Sequence, residues 1–150
     1  MIGNALLFSL YSFIATFAFS IIFNIKGKNL FFSALCGGIS WFIYLISLGS
    51  NMSNTLSIFN GTLIAAIYAE IAARILKTPV TTFIICGILP LVPGGGMYYT
   101  MLDFTRGNLS VALETGWNTL TIAGAIAIAL VLVSSVTKLI TYKKLKLKIK

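Results

Sequence analysis

Histidine is absent from the 150 residues, and with it the commonest general base and metal ligand at neutral pH. Acidic residues number only three, Glu70, Asp103 and Glu114, so no apposed aspartate pair is on offer for hydrolytic chemistry. No G-x-S-x-G nucleophile elbow occurs either, and an enzyme is not expected. The two cysteines, Cys36 and Cys86, each lie inside an apolar run, with neither the spacing nor the context of a metal or redox site. They read as small packing residues, and no cofactor or metal is expected. Charge is also scarce: 9% of residues, against about 25% in a soluble domain whose surface must face water. That excludes a soluble globular fold. Low-complexity segments, internal repeats and any boundary for a second domain are missing as well.

What fills the chain instead is apolar mass. Hydrophobic residues make up 58%, mean hydropathy is +0.98, and eleven Phe, six Tyr and two Trp add bulk without charge. The solvent for most of this chain is lipid. Its net charge of +8 suggests nucleic acid only until the cations are located. Six of the eleven (Lys138, Lys143, Lys144, Lys146, Lys148 and Lys150) follow an apolar run within the last thirteen positions. Anionic lipid headgroups are the nearer partner, and Lys143, Lys144, Lys146 and Lys148 are the candidate lipid contacts. No nucleic-acid role is expected.

A span needs roughly 20 mostly apolar residues to cross about 30 Å of hydrocarbon. Five stretches qualify, at about 2–23, 30–48, 56–76, 80–102 and 112–136, giving one transmembrane domain over 1–137 and a basic tail over 138–150. The N-terminus has no positive n-region and reads as the start of the first span, not as a cleaved signal. Pro79 closes the third span, since proline disfavours helix at the residue before it. Lys26 and Lys28, then Arg74 and Lys77, then the lysine tail fall on one side of a five-span topology. The other side holds an uncharged N-terminus, an uncharged loop at 49–55, and a loop where Arg106 is outnumbered by Asp103 and Glu114. The expectation is an all-α, five-span protein of the cell membrane, N-terminus outside and C-terminus cytoplasmic.

The fourth span is interrupted by a Pro-x-x-Pro-Gly-Gly-Gly segment from Pro90 through Pro93 to Gly94, Gly95 and Gly96. Each proline removes a backbone donor, and three glycines in a row weaken a helix. In hydrocarbon an unpaired backbone group costs several kcal/mol, so such a break survives only where protein or a water-filled cavity satisfies it. Two readings follow. One is the discontinuous helix of a secondary transporter, with a half-helix starting at about Met97 whose positive end faces an anionic group such as a substrate carboxylate. The other is a proline kink packed against its neighbours. On the first reading Pro90, Pro93, Gly94, Gly95, Gly96 and Tyr99 are candidate substrate-binding residues, joined by Asn118 of the fifth span.

Glu70 and Arg74 are opposite charges four residues apart within the third span, able to pair on one helix face. Charge inside a span marks a functional site by default, which makes the pair a candidate coupling site with Glu70 as the proton carrier. Both lie near the inner end, where Arg74 can snorkel to headgroups, so a structural pair is the competing reading. Asn60, Thr62, Asn118, Thr119 and Thr121 read first as interhelical glue, with Asn118 alternatively lining a polar path at the break. Gly37 and Gly38 mark a close helix approach, and no role for Trp41 emerges.

Residues 73–79 (ARILKTP) and 87–101 (GILPLVPGGGMYYTM), with 20–25 (SIIFNI) and 116–120 (GWNTL), resemble the threonine/serine exporter family. The likeness covers nearly the whole chain and is closest to the small, separately encoded subunit, equivalent to the C-terminal membrane half of single-chain members. It implies export of threonine and serine, or of dicarboxylates such as succinate in some two-subunit members. It also implies a larger partner subunit with a cytoplasmic N-terminal domain and its own membrane half, so this chain alone is not expected to be a complete exporter. No catalytic residue carries over. A partner half entering from the cytoplasm would complete an inverted repeat, with the site at the interface near the midplane. The competing function is a non-transporting membrane scaffold or assembly subunit; a higher oligomer is compatible with either, and no filter sequence supports a channel.

Overall fold

The computed structural model describes the backbone of residues 2–148 and the side chains of residues 3–142. Its helices are α1 (Ile2–Ile22), α2 (Lys28–Gly49), α3 (Asn54–Leu76), α4 (Thr81–Ile88), α5 (Gly94–Thr105) and α6 (Leu109–Lys148), with a 3-10 turn at Leu89–Leu91 between α4 and α5. No strand occurs among the described residues. By length and composition α1, α2, α3 and α6 can each cross a membrane, and the pair Thr81–Leu91 plus Gly94–Thr105, bent by 55°, makes a fifth span if counted as one. The all-α, multi-span architecture with a broken fourth span is therefore what the chain adopts.

Local chemistry sets the ends of these helices. Ser53 caps α3 by accepting the Leu56 N–H at 3.3 Å. At its other end Lys77 turns left-handed (φ 51°, ψ 44°) and the Thr78 N–H closes back on the Ala73 carbonyl at 3.0 Å. Pro79 then prevents any continuation. The last helix ignores the expected boundary near residue 136 and runs on to Lys148. Its final turns are built from Lys, Leu, Ile, Thr and Tyr with neither Gly nor Pro, so nothing in them breaks a helix. The side chains of Lys143, Lys144, Lys146 and Lys148 lie outside the described ones.

Helices α1, α2 and α3 pack in sequence, α4 lies on α2 and α3, and α6 lies on α3. Ile58, near the start of α3, clusters with Ile122 and Ile126 of α6, while Arg74, near its end, donates to Thr141 at 3.2 Å. The two helices thus run parallel. Asn29 donates to Thr78 at 3.2 Å, which ties the 24–29 turn to the 77–79 turn. All three basic segments named from the sequence therefore lie at one end of the bundle.

Small residues hold the bundle together. On α1, Ser9, Ser12, Thr16 and Ser20 are buried at helical spacing and face α2, where Ser33, Gly37 and Ser40 are buried in turn. A Cβ on Gly37 would collide with the Thr16 hydroxyl and lie 2.7 Å from Thr16 Cβ, so the two backbones meet at a distance only glycine permits. Ser12 donates to the Gly37 carbonyl at 3.0 Å and Ser33 to the Thr82 carbonyl at 3.0 Å. On α3 the buried small residues include Ala65, Ala69, Ala72 and Ala73, and Phe83 of α4 is wholly buried against the last three. In lipid, where water does not drive helices together, such close contact and interhelical hydrogen bonding supply the association energy.

Candidate functional site

The break in the fourth span begins under a firm anchor. Leu91 is buried in the cluster of Ile58, Ile122 and Ile126, with Trp41 and Tyr44 packed against it and their rings 4.9 Å apart. This gives Trp41 its role: it is core beneath the break, not an interfacial belt residue. Ser40 of α2 lies 2.8 Å from the Gly87 carbonyl and 2.8 Å from the Gly37 carbonyl. It supplies a donor close to where Pro90 has none to give. Loss of this single hydroxyl in Ser40→Ala should cost about 1 kcal/mol, in the range of interhelical bonds in lipid, read as a lower unfolding midpoint with helix content unchanged. Leu91 also approaches Gly61 of α3, which sits four residues, or about 6 Å, from that helix's midpoint at Ala65. The break accordingly begins about 6 Å from the middle of α3.

Beyond Leu91 the chain changes direction within three residues. Val92 is extended, and Pro93 (φ −78°, ψ 56°) forms an inverse γ-turn closed by the Gly94 N–H on the Val92 carbonyl at 2.8 Å. The first helical bond of α5 is Met97 N–H to the Pro93 carbonyl at 3.1 Å. The half-helix therefore starts at Gly94, three residues earlier than the sequence suggests, and the glycines form its first turn. A helix start needs free N–H groups but no particular side chains, and Pro93 supplies the entry. The N–H groups of Gly95 and Gly96 have no acceptor among the described residues. A Cβ on Gly94 or Gly95 would meet nothing within 4 Å, whereas one on Gly96 would collide with the Thr119 hydroxyl of α6. One glycine serves helix contact, and two leave open space beside bare backbone donors.

Among the described residues α5 packs on α6 alone and buries none of its side chains. Tyr99, one turn on from Gly95, is exposed with its ring 5.3 Å from that of Tyr98. Pro93, the three glycines and Tyr99 are thus gathered at one helix start, with Pro90 in the 3-10 turn before it. Asn118 is exposed on α6, and its neighbour Thr119 makes the contact with α5. Such a helix start combines oriented N–H donors with the positive end of the dipole, the chemistry that receives a carboxylate.

Glu70 and Arg74 lie elsewhere. Glu70 is nine residues from Gly61, about 13 Å along α3 toward the basic end. Its carboxylate is 3.9 Å from the Arg74 guanidinium, with the side chains 17% and 50% exposed respectively. A pair so open at one partner contributes at most about 1 kcal/mol. Both line a cleft of about 420 Å³ between α3 and α6 that contains no residue of the break.

The buried hydroxyl stripe of α1 had no counterpart in the residues singled out from sequence. Its signal was the spacing of Ser9, Ser12, Thr16 and Ser20, which falls on one helix face. The two cysteines are free and buried, as packing residues should be.

A multi-span helical bundle whose fourth span is broken and restarts with unpaired backbone donors is the architecture of a membrane transporter. The chain belongs to the threonine/serine exporter family: the family model described as Threonine/Serine exporter, ThrE matches residues 9–136. No curated protein and no solved structure matches it. The family is one of transporters, and the chain is a multi-pass membrane protein.

Proposed function

We propose that this chain is one membrane half of a two-component secondary transporter that exports threonine and serine, or related small carboxylates such as succinate. The observation that carries the reading is the start of α5: within a broken span, two backbone N–H groups without acceptors among the described residues, beside open space at Gly94 and Gly95. Lipid cannot satisfy these donors, and a substrate carboxylate can. The α5 surface is bare apart from its seam with α6, which suits a second membrane half from the larger subunit closing over it. Movement of one half against the other then alternates access to the site. The clustering of Lys26, Lys28, Arg74 and Lys77 at one end supports a cytoplasmic location for that end and for the C-terminus.

Counterflow of labelled serine, threonine and succinate into proteoliposomes tests this reading. Saturable flux is expected only when this chain and its larger partner are present together. Flux from the partner alone, unchanged by this chain, would favour a scaffold subunit instead.

Glu70 is the residue we assign to coupling, being the acidic group set deepest in a span. Glu70→Gln should abolish dependence of flux on a pH gradient while leaving gradient-free counterflow intact. Unchanged dependence would place the proton path elsewhere.

A further inference from the structure

The α3–α6 cleft has a shape and chemistry that neither the break nor the substrate reading uses. Leu63, Ile67 and Ile71 of α3 form one wall and Val133, Val136 and Ile140 of α6 the other. Leu63 and Arg74 are eleven residues apart, about 16 Å along the axis, which matches one leaflet of a bilayer whose hydrocarbon is about 30 Å thick. The long dimension of the cleft therefore runs from the basic end of the bundle to mid-depth.

Its polar groups sit at the basic end. Arg74 spends one contact on Thr141 at 3.2 Å and a long one on Glu70 at 3.9 Å, and its half-exposed guanidinium retains further N–H donors. Thr137 lines the same mouth. Glu70 contributes the one negative charge here, against Arg74, Lys77 at the end of α3 and Lys138 beside Thr137. An apolar slot one leaflet deep, with an excess of cations at its open end, is complementary to a single anionic phospholipid.

We infer that the α3–α6 cleft holds one anionic phospholipid, an acyl chain lying between the two aliphatic walls and the phosphate on Arg74. The site is distinct from general adsorption of the lysine tail, because it needs both the slot and the arginine. It is also independent of the substrate reading: none of its lining residues belongs to the break, and its polar mouth at Glu70 lies about 13 Å along α3 from Gly61.

Native mass spectrometry of the full chain, released from mixed micelles of phosphatidylglycerol and phosphatidylcholine, tests the inference. One retained phosphatidylglycerol is expected, favoured over phosphatidylcholine by about fivefold, the worth of one cationic contact at a leaflet. Arg74→Gln should erase that preference, and Val136→Trp, which fills the slot but keeps the arginine, should lower occupancy with either lipid. Replacing Lys143, Lys144, Lys146 and Lys148 by Gln should leave the one retained lipid in place. Circular dichroism of each variant establishes that the helices persist. Equal retention of both lipids by the parent chain, retention unaltered by Arg74→Gln and Val136→Trp, or loss with the lysine replacements alone would overturn the inference.

Discussion

Gly95→Leu is expected to abolish flux while leaving the protein inserted and helical. The position is open: a Cβ there meets nothing within 4 Å, so the larger side chain forces no neighbour aside. Within α5 the change even favours the helix, since leucine is a better helix former than glycine by about 0.8 kcal/mol. What it removes is access to the bare N–H groups of Gly95 and Gly96. Hydrogen bonds to a charged group contribute about 1.5–3 kcal/mol each, so losing two lowers carboxylate affinity by roughly two to four orders of magnitude. Gly95→Ala, with one methyl group in the same space, should give a partial loss. Counterflow measured beside circular dichroism of the purified variants checks both parts. Wild-type flux from Gly95→Leu would remove the carboxylate cradle from the account.

Gly37→Leu should act in the opposite manner, on the fold and not on the substrate. Its Cβ would run into the Thr16 hydroxyl and come within 2.7 and 2.8 Å of the threonine Cβ and Cγ2. Those atoms belong to a short branched side chain that is fully buried and has no room to turn away. Overpacking of this kind costs about 1–3 kcal/mol or more, and here it wedges apart α1 and α2, the helix on which α3 and α4 pack. Loss of the α1–α2 contact should appear as a large fall in unfolding midpoint in detergent. Gly37→Ala with Thr16→Gly should recover much of the stability that Gly37→Ala alone loses, since the second change removes all the colliding atoms. Thr16→Ala alone should be near neutral or stabilising, because the buried Thr16 hydroxyl has no hydrogen-bond partner among the described residues. A strongly destabilised Thr16→Ala would show that this hydroxyl has an essential partner.

Much of this architecture is legible in the sequence because membrane burial imposes long-range, low-resolution rules. Span length, Pro79 as a stop and the placing of Lys26, Lys28, Arg74 and Lys77 give the number of helices and put the basic turns at one end, as the Asn29–Thr78 and Arg74–Thr141 contacts bear out. The break is legible from Pro90, Pro93 and the glycines for the same reason: backbone donors cannot be hidden in lipid. Finer features depend on which face of each helix meets which neighbour. Hydropathy treats α1 as uniformly apolar, and only the packing shows that Ser9, Ser12, Thr16 and Ser20 form its buried face. The start of α5 at Gly94 instead of Met97 escapes propensity because a helix start is set by the Pro93 turn, not by the helical preference of the next three residues. Likewise, that Thr119 and not Asn118 meets the break is a matter of 100° of helix rotation, which no composition rule fixes.

The most direct measurement of the central claim reads the backbone of α5 itself. The chain is labelled at its glycine amides, assembled with its partner and titrated with serine, threonine or succinate while the amide resonances are followed. The account predicts saturable shifts at Gly95 and Gly96, whose N–H groups gain a carboxylate acceptor, and little change at Gly37 or Gly61, which are packed against α1 and α2. Saturable binding that leaves Gly95 and Gly96 unmoved would contradict it and reduce the break to a packing device.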